Sequence, residues 1–206
     1  MDINLGVALD YLGVGFFAVS GAIAAAERRQ DFITFLFFGG ITGIGGGTLR
    51  DLLIGAPVFW VRQPNYLTVC AVAALLVWFW RGWMASARAL LWMDAVGLSA
   101  YAVVGSAKAL GAGLSPPVCV AMGVLTACFG GVLRDVVAGQ PSVLLRREIY
   151  LTAAMLAGAV FVGAQMLGAP TLAAGALGML AGFGLRGGAL LRGWQMPGFK
   201  PQRVDY

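Results

Sequence analysis

The residues Gly46-Gly47-Thr48-Leu49-Arg50-Asp51 recur along the chain as Gly130-Gly131-Val132-Leu133-Arg134-Asp135. The second hexapeptide lies 84 residues after the first. The same offset, without a gap, pairs further positions: Asp10 with Asp94, Gly13 with Gly97, Gly21 with Gly105, Gly55 with Gly139, Pro57 with Pro141, Arg62 with Arg146 and Tyr66 with Tyr150. Chance similarity between apolar segments would match leucine and alanine, so matched aspartate, arginine, proline and tyrosine indicate an internal repeat.

The repeat lies in a strongly apolar chain. Of the 206 residues, 60% are hydrophobic and only 11% are charged, whereas a soluble domain has about 45–50% apolar and about 25% charged residues. A soluble protein of this size would lack the polar residues that its surface needs. The composition excludes a soluble enzyme, a disordered chain and a disulfide scaffold, and it indicates an integral membrane protein.

The residue types that carry most enzyme chemistry are scarce. The chain has no histidine, and its three cysteines lie in apolar segments without a CxxC motif. The glycine-rich run 43–48 lacks the Lys-Ser/Thr ending of a phosphate-binding loop. Basic residues stand singly or in pairs between apolar segments, as topology signals do. We therefore expect no catalytic residue, no metal site, no cofactor and no nucleic-acid partner.

Seven apolar segments approach the roughly 20 residues that a membrane helix needs. They cover residues 5–26, 32–55, 66–80, 89–110, 116–138, 149–167 and 170–191. The predicted fold is an all-α membrane protein, with residues 1–206 in a single transmembrane domain. Its parts are repeat 1 (about 5–82), repeat 2 (about 89–167), a seventh helix (about 170–191) and a cytoplasmic tail (192–206).

Lysine and arginine between the spans predict the orientation of the chain. If the N-terminus is outside, the inner loops and tail hold nine basic residues and the outer loops hold only Arg62. The nine are Arg28, Arg29, Arg81, Arg88, Arg146, Arg147, Arg192, Lys200 and Arg203.

Each repeat has three spans, so the second copy enters the membrane from the opposite side. The two copies should then be related by a pseudo-two-fold axis in the membrane plane.

Glycines cluster in the second and fifth spans, at Gly45, Gly46, Gly47, Gly130 and Gly131. Glycine costs about 1 kcal/mol per residue in a helix interior, so these clusters predict a kink or break in each span. The helix ends at such a break could hold ions through their dipoles. The alternative is close helix packing, because Gly39, Gly43 and Gly47 have GxxxG spacing.

Seven charged residues within the first six spans stand out as candidate site residues: Asp10, Arg50, Asp51, Asp94, Lys108, Arg134 and Asp135. A charge near the bilayer centre costs at least about 2.5–3.5 kcal/mol, so these groups should face the protein interior and pair. Matched depth favours two pairs, Asp10–Arg50 near the outer end and Asp94–Arg134 near the inner end. Adjacent residues point about 100° apart on a helix, so pairing of Arg50 with Asp51 should not be assumed.

Two roles stay open for these buried charges. They either clamp helices together or line a permeation path and its gate. Lys108 has Ala24 as its counterpart in the first repeat. Extension of its side chain to the lipid headgroups is favoured for Lys108, with a gating charge or electrostatic filter as the alternative.

With these motifs, the sequence resembles the trimeric intracellular cation channel family in its bacterial branch. The resemblance covers nearly the whole chain, including the glycine-rich second and fifth spans that each end in an Arg-Asp pair. It implies a homotrimer of the bacterial inner membrane, contacting membrane lipid, with one potassium- and sodium-conducting pore per protomer. Four glycines in the seventh span, Gly175, Gly178, Gly182 and Gly184, could favour subunit contact. Bacterial relatives of this domain imply an alternative, a secondary transporter of a small zwitterion such as glycine.

The charge distribution makes the orientation testable. In a variant without the native cysteines, a single cysteine placed at the N-terminus should react with an impermeant maleimide in intact cells. A single cysteine at the C-terminus should react only after the membrane is permeabilised. A protected N-terminal cysteine would overturn both the orientation and the depths assigned to the buried charges.

Overall fold

The computed structural model describes residues 3–80 and 86–198. Within them the chain is helical, and an isolated bridge between Glu148 and Gln195 stands outside any strand. The α-helices are α1 (Ile3–Glu27), α2 (Phe32–Leu53), α3 (Phe59–Arg62), α4 (Asn65–Phe79), α5 (Ala87–Gly111), α6 (Pro116–Val137), α7 (Leu151–Met166) and α8 (Thr171–Arg192). A 3-10 turn, Val143–Leu145, precedes α7.

Five of these helices, α1, α2, α5, α6 and α8, are long and apolar enough to cross a membrane. Two further apolar helices are shorter, with 15 residues in α4 and 16 in α7. The seven apolar segments of the sequence fall on these seven helices, and α3 is an additional single turn. Some sequence predictions lie outside the described residues: the repeat limit at 82, the basic residue Arg81, and the tail residues Lys200 and Arg203.

Local signals set the helix boundaries. Asp31 caps the start of α2, where its carboxylate accepts hydrogen bonds from the Thr34 backbone N–H (2.9 Å) and hydroxyl (3.1 Å). These hydrogen bonds lower the pKa of Asp31. Proline occupies the first turn of α6, where its missing N–H has no helical partner to lose. At the end of α8, Gly193 adopts a left-handed conformation that ends the helix.

The core is built on α1 and α5. Helix α1 packs against α2, α4 and α5, and α5 packs against α6, α7 and α8. A reciprocal contact joins the two central helices: a Cβ at Gly13 would overlap the Tyr101 ring, and one at Gly97 would lie 3.0 Å from the Phe17 ring. Tyr101 lies 84 residues after Phe17, as Gly97 lies 84 residues after Gly13.

Helices α2 and α6 cross at their glycines. A Cβ at Gly46 would overlap the carbonyl oxygen of Thr126, and a Cβ at Gly130 would overlap that of Thr42. Both helices are continuous through these positions, so the predicted break is wrong. The small glycines instead let two backbones approach, which is the packing alternative.

The other glycines of the two clusters also contact neighbouring groups. A Cβ at Gly45 would lie 2.6 Å from Leu133, one at Gly47 would lie 2.6 Å from the Phe59 ring, and one at Gly131 would lie 2.8 Å from the Tyr150 hydroxyl. Each position therefore has a packing reason to lack a side chain. The helix-propensity cost of the glycines is offset by contacts that a larger residue would prevent.

The crossing predicts a position-specific effect of added volume. Gly46→Ala should destabilise the protein by about 1–3 kcal/mol, since its methyl group would overlap the backbone of α6. Gly40→Ala is the matched control on the same helix, because its Cβ would meet nothing within 4 Å. The measurement is the apparent thermal unfolding midpoint in mild detergent. Equal effects of the two substitutions would contradict a close backbone contact at Gly46.

Candidate functional site

The seven charged residues singled out in the sequence form two clusters. The first cluster comprises Asp10, Arg50, Asp51 and Lys108, and the second comprises Asp94, Arg134 and Asp135. In both clusters an arginine from the C-terminal part of α2 or α6 meets an aspartate from α1 or α5. The folding of the chain therefore brings together every charge that the sequence singled out, although in two separate groups.

In the first cluster, the fully buried Arg50 is held by two carboxylates. Its Nε donates to Asp51 Oδ1 at 2.8 Å, and its Nη1 lies 3.9 Å from Asp10 Oδ1. Lys108 Nζ donates to the same Asp51 oxygen at 2.7 Å. The Phe59 ring lies beside both cations, 5.5 Å from the guanidinium carbon and 6.0 Å from the ammonium. Two positive and two negative charges therefore balance in this cluster.

In the second cluster, Arg134 is the centre. Its Nη1 donates to Asp94 Oδ1 at 2.6 Å, and its Nε donates to Asp135 Oδ1 at 3.0 Å. Nη1 also donates to the Ser20 hydroxyl at 3.2 Å. Ser20 corresponds to Val104 at the 84-residue offset. A valine side chain cannot accept a hydrogen bond, and the terminal nitrogens of Arg50 have no hydrogen-bond partner among the described residues.

Each cluster also anchors the loop that follows its arginine. Asp51 Oδ2 accepts the Phe59 backbone N–H at 2.9 Å, and Asp135 Oδ2 accepts the Val143 N–H at 2.9 Å. Phe59 and Val143 are also 84 residues apart. The repeated hexapeptide thus specifies a repeated set of contacts: the arginine reaches a neighbouring helix and the aspartate caps the next turn.

Several sequence predictions can be compared with these contacts. Both favoured pairs, Asp10–Arg50 and Asp94–Arg134, are confirmed as ion pairs. Pairing of the adjacent Arg and Asp, which helix geometry gave no reason to assume, also occurs, because the long arginine side chain folds back onto the next residue. The favoured headgroup contact of Lys108 is also wrong, since its ammonium binds Asp51.

A cavity of about 210 Å³ lies beside the second cluster. Asp94, Arg134 and Asp135 line it, together with Ala24 from α1. Ala24 corresponds to Lys108 at the 84-residue offset. The described part of the chain thus places an ammonium against the first cluster and a small methyl group against the second.

Sequence reasoning missed a further buried charge, Arg186. It is 1% exposed, donates to Glu148 Oε2 at 2.7 Å, and its guanidinium carbon lies 5.2 Å from the centre of the Tyr150 ring. The signal was present, because Arg186 falls within the predicted span 170–191. Tyr66 and Tyr150 were noted only as repeat markers, yet Tyr66 donates to Asp10 at 3.3 Å.

The sequence matches a family model described as glycine transporter over residues 7–82 and 91–166. A UPF0126 membrane protein of Vibrio cholerae is 38% identical over 167 residues, covering 77% of this chain and 67% of that protein. The UPF0126 inner membrane protein YadS of Escherichia coli is 40% identical over 156 residues, or 73% and 74% of the two chains.

Solved structures of cation channels also match the chain. The trimeric intracellular cation (TRIC) channel orthologue from Rhodobacter sphaeroides is 44% identical, with a TM-score of 0.89, and the match covers 93% of this chain and all of that one. A second TRIC cation channel is 29% identical, with a TM-score of 0.85 over 99% and 100% of the two chains. The chain therefore belongs to the bacterial UPF0126 membrane protein family described as glycine transporter, and it has the fold of the TRIC channels.

Proposed function

We propose that the protein is a channel for monovalent cations, with a conduction path inside each protomer. The observation that carries this proposal is the 44% identity and full-length structural match to a TRIC channel. The two charge clusters support it, because an apolar membrane protein has little reason to keep seven charged groups within its spans unless they pair or act. The proposed activity is passive conduction of potassium and sodium rather than catalysis.

The proposed architecture is a pair of inverted three-span repeats, α1–α2–α4 and α5–α6–α7, followed by α8. Reciprocal contacts support it: Gly13 meets Tyr101 as Gly97 meets Phe17, and α2 meets α6 in the same way. Reciprocity of this kind follows from a two-fold relation. Helices of 15 and 16 residues are short for a bilayer of about 30 Å, so local thinning of the bilayer is expected around α4 and α7.

The proposed path connects the two clusters across the membrane. With the N-terminus outside, Asp10 lies early in the inward-running α1, which places the first cluster near the outer surface. The second cluster then lies near the cytoplasm, at the end of α6. The clusters would act as charged constrictions at opposite ends of one route.

The proposed assembly is a homotrimer, supported by the R. sphaeroides channel, which is described as trimeric. Two of the α8 glycines are used within the protomer. A Cβ at Gly178 would lie 2.7 Å from the Ala157 carbonyl oxygen, and one at Gly182 would lie 2.7 Å from the Ala157 side chain. These small residues pack α8 onto α7 within one protomer, while Gly184 has no contact within 4 Å.

A second candidate function is coupled uptake of a small zwitterion, favoured by the glycine transporter description of the family model. Inverted repeats serve transporters as well as channels, so the architecture does not separate the two. Transport of glycine against its gradient needs a coupling ion, whereas a channel conducts in whichever direction the ion gradient dictates.

Reconstitution in liposomes tests the two functions on one preparation. We expect potassium and sodium to flow down imposed gradients through the reconstituted protein, faster than through protein-free liposomes. Labelled glycine should not accumulate above its external concentration under a sodium or proton gradient. The mass in mild detergent, expected to be three times the 21.4 kDa chain, verifies the assembly of the sample used.

Glycine accumulation that depends on the ion gradient, without free potassium flux, would reject the channel and establish the transporter. A stable monomer that conducts would reject the trimer but not the internal path. The two parts of the proposal are therefore decided by different readouts.

A double-mutant cycle tests the charge pairs. Arg134→Ala should lower stability by about 3–5 kcal/mol, because it leaves two buried carboxylates without their cation. Adding Asp94→Ala should recover part of that loss, with a coupling of about 1 kcal/mol or more. The Arg50 and Asp10 cycle should show weaker coupling, because that ion pair is 3.9 Å long rather than 2.6 Å. Thermal unfolding in detergent is measured for the wild type, the two single variants and the double variant of each cycle.

Flux measured on the same variants separates a clamp from a path residue. Loss of potassium flux in a variant that still folds and assembles assigns the cluster to the path. Additive losses in the cycle would contradict a coupled pair at that end of the protein.

A further inference from the structure

The two clusters differ in one component, and we propose that the second cluster binds a monovalent cation where Lys108 completes the first. The proposal deepens the channel function and rests on it for the identity of the ion, potassium or sodium. Its geometric basis is the 84-residue correspondence between the clusters. The site comprises Asp94 and Asp135 with the Tyr150 hydroxyl, beside the cavity at Ala24.

The first cluster shows how a cation is held. Asp51 Oδ1 accepts the Arg50 Nε at 2.8 Å and the Lys108 ammonium at 2.7 Å. A single carboxylate oxygen thus binds an arginine from its own helix and a compact cation from α5. The ammonium acts as a built-in monovalent cation that neutralises the second carboxylate of the cluster.

The second cluster repeats this arrangement without the ammonium. Asp135 Oδ1 accepts the Arg134 Nε at 3.0 Å, as Asp51 does from Arg50. The position equivalent to Lys108 is Ala24, whose methyl group lines the 210 Å³ cavity with the two aspartates. Two carboxylates therefore share a single guanidinium, and one negative charge is left over.

The other charged groups around the cavity do not remove this excess. Glu27 and Arg146 also line the cavity and cancel each other in the charge count. Arg146 is 47% exposed and lies 3.8 Å from Glu148. Arg28 keeps its positive charge and donates at 2.6 Å to the carbonyl oxygen of the lining residue Ala138, but it does not itself line the cavity. The lining as a whole carries three carboxylates and two guanidinium groups.

An unsatisfied buried hydroxyl lies near Asp94, one of the two carboxylates of the site. Tyr150 is 1% exposed, and its hydroxyl has no hydrogen-bond partner among the described residues. The point where a Gly131 Cβ would stand is 2.8 Å from this hydroxyl and 3.4 Å from Asp94 Oδ1. Its counterpart Tyr66 donates to Asp10. A buried polar atom without a partner is costly, and a cation bound beside Asp94 would use its oxygen.

The chemistry of the site favours an alkali ion. Carboxylate and phenol oxygens are hard ligands, and the single excess charge is neutralised by one monovalent ion. A calcium ion normally takes six to eight oxygen ligands, and the guanidinium of Arg134 would oppose a second positive charge. The cavity holds an ion with several waters, each of which needs about 30 Å³.

Potassium-dependent stability tests the site without a flux measurement. A ligand that binds only the folded state raises stability with its concentration. At constant ionic strength, replacing choline chloride with potassium chloride should therefore raise the unfolding midpoint of the wild-type protein. Ala24→Lys should abolish this dependence, because its ammonium takes the place of the ion. The variant should be at least as stable in choline as the wild type is in potassium.

Two variants separate charge from volume. Ala24→Met has a chain of similar length without charge, so it should be less stable than Ala24→Lys and respond at least about tenfold more weakly to potassium than the wild type. Lys108→Ala gives the first cluster the composition of the second. It should show a steeper potassium dependence than the wild type, because two sites then bind ions.

The outcomes are decisive in both directions. Unchanged potassium dependence in Ala24→Lys, equal stability of the lysine and methionine variants, or no potassium effect on the wild type would each overturn the proposal. Potassium flux through a wild-type protein that shows no such dependence leaves the channel standing and rejects the site. Potassium dependence that Ala24→Lys abolishes, in a protein that does not conduct, keeps the site and rejects the channel.

Discussion

The fold depends on the pairing of two buried arginines with carboxylates. Arg50 and Arg134 are almost fully buried, and an unpaired charge in such surroundings costs several kcal/mol. Each arginine can be satisfied only if α1 or α5 delivers an aspartate beside it. The adjacent aspartate then uses its second oxygen to hold the backbone of the following loop. One short motif therefore orders two helices and a loop, and the chain uses it twice.

The α2–α6 crossing explains why the two motif copies act within one compact unit. Gly46 and Gly130 allow the backbones of these helices to touch, in lipid, where association rests on packing rather than on the hydrophobic effect. Each arginine lies one helical turn beyond this crossing, so the contact that joins the halves also fixes where the charges stand. The four-residue spacing from each glycine to its arginine therefore links the position of the helix crossing to the position of the charge.

Residue pattern predicted the helices and the partners of the charges well, because both depend on period, length and burial cost. Matched depth in the spans predicted that Asp94 pairs with Arg134, and the 84-residue offset related this pair to Asp10 and Arg50. It did not predict that Arg134 also binds the adjacent Asp135, since that contact depends on a side-chain rotamer. Glycine content alone could not distinguish a broken helix from a close crossing, because both need the same residue. The pairing of Lys108 with Asp51 depends on how α5 is rotated, which sequence spacing leaves undetermined.

The differences between the two halves carry more functional information than their likeness. A chain with identical halves would present the same charge to both sides of the membrane. Here the difference between Ala24 and Lys108 makes one cluster neutral and leaves the other with an excess carboxylate. Ser20 accepts a hydrogen bond from the Arg134 guanidinium. Arg50 has terminal nitrogens without hydrogen-bond partners among the described residues and is held by Asp51, Asp10 and the Phe59 ring. In the proposed path, a cation would meet an excess carboxylate at one cluster and the Lys108 ammonium at the other. The duplicated scaffold thus yields two chemically distinct charge clusters, which would make the proposed path asymmetric.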